Sequence, residues 1–136
     1  MKSIVIYYSW SGKTKPIAEK LAADQGADIC EVKDVTKPGK LAAYSRGVLA
    51  ARRMERTPIL PLGVDLAEYE SFYILAPVWA GMPAPAINSV FDQLPVGAEV
   101  SLMLTSASGK SGAEAKLRAE LNSRGVKLLL YRDVKS

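Results

Sequence analysis

Ser3-Ile-Val-Ile-Tyr-Tyr8 is an unbroken run of β-branched and aromatic side chains, the pattern of a strand buried on both faces, as parallel sheets require. A short polar stretch follows. From Thr14 the apolar residues Ile17, Ala18, Leu21 and Ala22 recur at helical spacing, with Pro16 tolerated in the first turn and Gly26 placed to end the helix. The same alternation then repeats along the chain. Ala27–Val32 reads as a strand, Leu41–Arg53 as a helix with Leu41, Tyr44, Val48 and Leu49 on one face, and Ser71–Ala76 as a strand. Ala84–Leu94 reads as a helix burying Ile87, Val90, Phe91 and Leu94, stopped by Pro95 and Gly97. Glu99–Thr105 is a predicted strand, Gly112–Arg124 a helix led by Leu117 and Leu121, and Val126–Tyr131 a fifth strand after the stop at Gly125. The long connection before Ser71 carries Pro58, Pro61, Gly63 and an acidic stretch from Asp65 to Glu70. It reads as an irregular surface crossing with a short helical turn near Leu66.

Strands that alternate strictly with helices are joined by right-handed crossovers and lie parallel, so the expected architecture is α/β: an open, doubly wound five-stranded sheet with helices on both faces. Residues 1–136 suit a single domain. In such sheets ligands bind at the carboxyl ends of the strands. The loops after strands one, three and four therefore carry the candidate chemistry.

Composition narrows that chemistry. Histidine is absent, which excludes Ser-His-Asp hydrolysis, Cys-His proteolysis, His-ligated zinc and histidine general-base catalysis. The net charge of +4 includes Arg46, Arg52, Arg53 and Arg56, read as a solvated helix face followed by a loop rather than as a docking patch for an acidic partner. No aromatics interleave with these arginines, so nucleic acid is not an expected partner. The single cysteine, Cys30, lies in an apolar-leaning strand and reads as structural. Phe72–Ala80, the longest apolar stretch, is far too short to span a membrane, and Met1–Tyr8 lacks the length of a signal peptide. A cytoplasmic protein without a membrane partner is expected.

The loop after strand one, Ser9-Trp10-Ser11-Gly12-Lys13-Thr14, delivers three hydroxyls and a glycine onto a helix N-terminus, where backbone N–H groups and the helix dipole favour a phosphate. A plain N-cap by Ser11 is the structural alternative. Gly12-Lys13-Thr14 and Gly109-Lys110-Ser111 both fail the spacing of a nucleotide-hydrolysing P-loop, because the required earlier glycines are Tyr7 and Leu104. After strand three, Ala76-Pro77-Val78-Trp79-Ala80-Gly81-Met82-Pro83 sets a large aromatic among small residues, where a flat ring can stack on Trp79 instead of Trp79 packing in the core. Thr105-Ser106-Ala107-Ser108-Gly109-Lys110-Ser111-Gly112 is small and polar, able to present backbone groups to the edge of a heterocycle; its plainer reading is a helix start capped by Ser111.

Taken together, these segments resemble the flavodoxin family across almost the whole chain. Ser9-Trp10-Ser11-Gly12-Lys13-Thr14 is similar to the family's phosphate loop, Pro77-Val78-Trp79-Ala80-Gly81 with Pro83 to the loop whose aromatic covers the isoalloxazine, and Thr105–Gly112 to the loop at the pyrimidine side. The resemblance implies FMN as cofactor, its phosphate on Ser9, Ser11, Gly12 and Thr14 with Lys13 adding charge, Trp10 near the ribityl chain or ring, and Trp79 stacked on the flavin. It also implies backbone contacts from Ser106, Ala107, Ser108 and Gly109 to N3, O2 and O4, with Ala80 and Gly81 near N5. The cofactor would supply the electron chemistry and the protein its tuning.

Three features depart from the family. The chain is basic, with Lys110 in the third loop, which predicts a less negative reduction potential than that of acidic shuttles. The third loop has no aromatic, leaving the other flavin face open. Only Arg132–Ser136 follows the fifth predicted strand, so the usual last helix is expected to be missing and a homodimer or partner protein to cover the exposed sheet face. The expected function is an FMN-binding electron-transfer flavoprotein working with a redox partner protein or small-molecule acceptor. Alternatives are an NAD(P)H-dependent FMN or quinone reductase and a flavin-less binding module. A phospho-acceptor receiver domain does not fit, since Tyr8-Ser9 and Pro77-Val78 stand where its carboxylates belong.

Overall fold

The computed structural model describes residues 2–35, 56–79 and 81–135. The helix expected over Leu41–Arg53 lies outside the described residues, as do Arg46, Arg52, Arg53 and Ala80. In chain order the elements are β1 (Ser3–Tyr7), α1 (Thr14–Gln25), β2 (Asp28–Glu31), β3 (Ser71–Trp79), β4 (Met82–Pro83), α2 (Pro85–Phe91), β5 (Glu99–Ser106), α3 (Glu114–Asn122) and β6 (Lys127–Lys135). A single 3₁₀ turn, Leu66–Glu68, stands where a short helical turn was expected, its start fixed by the Asp65 carboxylate accepting from the Ala67 N–H at 3.0 Å.

Five strands run parallel in the order β2-β1-β3-β5-β6. Ligands bind such sheets in the crevice where the strand order reverses, here between β1 and β3. The apolar runs bury both faces of the central strands. On one face Ile4, Ile6, Phe72, Ile74, Leu102 and Leu104 pack under Ile87, Val90 and Phe91 of α2 and Leu117 and Leu121 of α3. On the other, Ala18 and Ala22 of α1 close over Val5, Tyr7, Leu75 and Met103. Gly26 ends α1 in a left-handed conformation at φ 61° that favours glycine.

Two boundaries differ from the sequence reading in ways that shape the site. β3 runs three residues further than Ala76 and turns back as β4, with Val78 opposite Pro83 and Trp79 opposite Met82. Leu75 accepts from the Tyr8 N–H at 3.0 Å, and Pro77, two residues on and facing the same edge, accepts from the Ala84 N–H at 3.1 Å. β4 thus takes the place beside β3 that β1 vacates, and the N–H that Pro77 lacks falls where no β1 partner remains. β6 in turn continues past Tyr131 to Lys135, its register shifting by one residue at Leu129 so that Val100 pairs with Leu128 but Ser101 with Leu130. Beyond α1, the second face carries Ser101, Leu130 and Arg132; Leu129 and Leu130 are 48% and 36% exposed.

Arg56 is not a free solvated charge. Its guanidinium grips Asp92 through two hydrogen bonds of 3.0 Å and reaches Glu120 at 3.1 Å, while Arg124 pairs with both carboxylates, binding the returning chain to α2 and α3. Cys30 is buried, its thiol 3.3 Å from the Leu62 carbonyl it donates to, and burial pushes its pKa up. A neutral, hydrogen-bonded thiol suits the structural role expected for it. No helix among the described residues is long and apolar enough to cross a membrane.

Candidate functional site

The first loop leaves the end of β1 and turns at Gly12, whose φ of 90° suits glycine, into the 12-residue helix α1. The expected cap by Ser11 does not form. Lys13 occupies the N-cap position without a side-chain hydrogen bond, Ser11 is exposed, and the first turn holds no acid. Among the described residues the start of α1 therefore has no side-chain cap and no acid in its first turn to meet the positive end of the helix dipole. In the same loop the Ser9 hydroxyl oxygen is buried and finds no hydrogen-bond partner among the described residues, a state that costs about 1–3 kcal/mol unless something else satisfies it. The Thr14 hydroxyl is buried 2.9 Å from that of Thr105, which lies 3.4 Å from the Ala76 carbonyl.

The second loop is the tight hairpin between β3 and β4, with Gly81 at φ 82°. Trp79 is its last β3 residue and is half-buried. Its ring rests against the core and meets two other aromatics edge-on, Tyr8 at 6.4 Å and 78° and Trp10 at 6.1 Å and 90°. Trp10 and Trp79, both half-buried, thus pack at right angles and leave part of their aromatic surface exposed. Pro77 and Val78 stand half-buried beside it.

The third loop folds on its own hydroxyls. The Ser106 oxygen accepts from the Gly109 N–H at 2.9 Å and the Ser108 oxygen from the Lys110 N–H at 3.3 Å, while Ala107 and Ser108 face solvent. Ser111 does not cap α3, whose N-cap is Ala113 with no side-chain bond; it turns instead to Tyr131 and Asp133 on β6.

One contact joins each pair of loops. Trp10 meets Trp79, Thr14 bonds Thr105, and the Gly112 N–H donates to the Gly81 carbonyl at 3.2 Å. The structure thus brings Ser9, Trp10, Ser11, Gly12, Lys13 and Thr14 to the same rim as Pro77, Val78, Trp79 and Gly81 and as Ser106, Ala107, Ser108 and Gly109. Sequence reasoning missed Thr105 as the anchor of α1 and Asp133 as the support of the third loop. It also missed Asp34, whose carboxylate accepts from the Tyr8 hydroxyl at 2.5 Å; burial and this bond raise the Tyr8 pKa. Tyr8, Ser9 and Asp34 line a cavity of about 300 Å³ at the ends of β1 and β2, completed by Glu31, Val32, Lys33 and Leu60.

A flavodoxin family model matches residues 2–129. The chain belongs to the flavodoxin family. The crystal structure of a flavoprotein from Lactobacillus acidophilus in complex with FMN is 28% identical and superposes with a TM-score of 0.73, covering 97% of this flavodoxin-family chain and 93% of that one. A structure from Bacteroides uniformis gives a TM-score of 0.81 at 23% identity over 96% and 88% of the two chains, and Flavodoxin 1 from Bacillus cereus one of 0.56 at 14% over 100% and 86%. These last two show the fold. A comparison against curated proteins finds no match.

The residues present fit a phosphorylated flavin. An uncapped helix start and a buried Ser9 hydroxyl without a partner among the described residues suit a phosphate, and the half-buried Trp10 and Trp79 rings offer aromatic surface to an isoalloxazine.

Proposed function

We propose that this flavodoxin-family chain holds FMN non-covalently and transfers electrons between redox partners through it. The observation that carries the reading is the buried Ser9 hydroxyl, without a partner among the described residues, in the loop that leads into the uncapped start of α1. Ser9, Ser11, Lys13 and the α1 N–H groups would hold the phosphate, Trp10 and Trp79 the ring, and Ser106–Gly109 the pyrimidine edge. Bound FMN supplies the one- and two-electron chemistry; the chain's own part is to bind it, orient it and limit its contact with water. The FMN complex of the Lactobacillus acidophilus flavoprotein supports this assignment.

A second reading, an NAD(P)H-dependent FMN or quinone reductase, draws on the third loop. Residues 106–112 contain no aromatic, so the flavin face away from Trp79 would be left open to a hydride donor. One experiment separates the two. The reconstituted protein is reduced with dithionite, separated from excess reductant and mixed with cytochrome c, and separately turned over with NADPH and a soluble quinone. Fast reduction of cytochrome c without NADPH oxidation is the expected result; sustained NADPH oxidation would assign it to the reductases instead.

A further inference from the structure

The third loop is latched to β6 by side chains that no phosphate or flavin contact requires. Ser111 donates its hydroxyl proton to Asp133, so in its bond with Tyr131 the tyrosine is the donor. Tyr131 and Asp133 are two residues apart on β6 and leave the same face of the sheet, which lets them hold Ser111 between them. The backbone is close as well. A Cβ added at Gly109 would lie 3.3 Å from that of Lys135, so the loop tip sits directly on the strand. From Gly112 the Gly81 hydrogen bond carries this placement across to the hairpin that bears Trp79. Burial raises the Tyr131 pKa, which keeps its proton available as donor.

We propose that Asp133, acting through Ser111, is a positioning residue that fixes the third loop against the pyrimidine edge of bound flavin and thereby sets its reduction potential. The inference rests on the FMN reading above. Charge collects on that edge when a flavin is reduced, so backbone donors held there favour reduction and an anion nearby opposes it.

Two substitutions separate the latch from the charge. Asp133→Asn keeps an Oδ1 acceptor for Ser111 and removes the anion; Ser111→Ala keeps the anion and removes the latch. Ser111→Ala is expected to weaken FMN binding about tenfold, the size of one lost hydrogen bond, and to move the midpoint potential of bound FMN to more negative values. Asp133→Asn should hold affinity within about threefold and move the potential to more positive values. In the flavin-free proteins, hydrogen exchange of the amides of residues 106–112 should be about tenfold faster in Ser111→Ala and near wild type in Asp133→Asn. Potentials shifted in the same direction by both variants, or loop exchange unchanged in Ser111→Ala, would overturn the proposal. A wild-type protein that does not take up FMN would overturn the proposed function instead, with the exchange comparison still deciding the latch.

Discussion

Thr14 and Thr105 stand 91 residues apart and share a buried hydrogen bond of 2.9 Å, the direct tie between the start of α1 and the end of β5. Thr14→Val removes the tie while keeping the shape, and leaves Thr105 with the Ala76 carbonyl. A loss of about 1 kcal/mol in unfolding free energy is expected, read as a lower urea midpoint at unchanged slope. An unaltered midpoint would mean that the bond does not hold α1 in place.

Asp92 and Glu120 lie between Arg56 and Arg124, and the arginine hydrogen bonds hold both carboxyls below their ordinary pKa range. For groups depressed in the folded state, the stabilisation is present above the unfolded pKa, about 4, and drains away as pH falls through the folded value. The urea midpoint should be insensitive to these groups above about pH 5 and fall below about pH 4, and Arg124→Met should flatten that acid limb. An identical acid limb in the variant would show that the network is not its source.

The cations around the loops carry a prediction for the potential. Lys110 is exposed in the third loop, and its charge favours a reduced, anionic flavin. Lys110→Gln should move the FMN midpoint potential negative, on the order of tens of millivolts at low ionic strength, with the difference shrinking as salt is added. Spectroelectrochemical titration of the two proteins makes the comparison.

β6 is a nine-residue edge strand with Leu129 and Leu130 exposed. We propose that a second copy of the chain covers the Ser101–Leu130 face and the adjoining edge, since exposed leucines beside an open strand edge form a pairing surface. Light scattering at micromolar concentration should report a dimer, and Leu130→Lys a monomer. A monomeric wild type would contradict the pairing.

Much of this arrangement is readable from local pattern. The runs that form β1 and β5, the helical spacing from Thr14 and the stop at Gly26 each follow from side chains within a few residues of one another, and the alternation then implies a parallel sheet. What sequence could not show depends on distant partners. Arg132–Lys135 alternate charge with a lone valine and carry no strand signature, yet the ladder of β5 extends β6 through them. Ser111 and Ser11 both look like helix caps, and neither caps. Ser111 is drawn away by Tyr131 and Asp133, whereas Ser11 is left in solvent by the turn at Gly12. Arg56 reads as a surface charge because Asp92 and Glu120 meet it only after folding. The convergence of the three loops was legible because it follows from strand order; the contacts that lock it were not.

FMN titration followed by tryptophan fluorescence tests the central claim most directly, using wild type and Ser11→Glu. Ser11 is exposed beside the uncapped α1 terminus, so the added carboxylate repels a phosphate there without burying a charge in the fold. Wild type should bind FMN with strong quenching of Trp10 and Trp79, and Ser11→Glu should weaken binding at least about tenfold while its urea midpoint does not fall. Equal FMN affinity in the two proteins, or no quenching in either, would contradict the site.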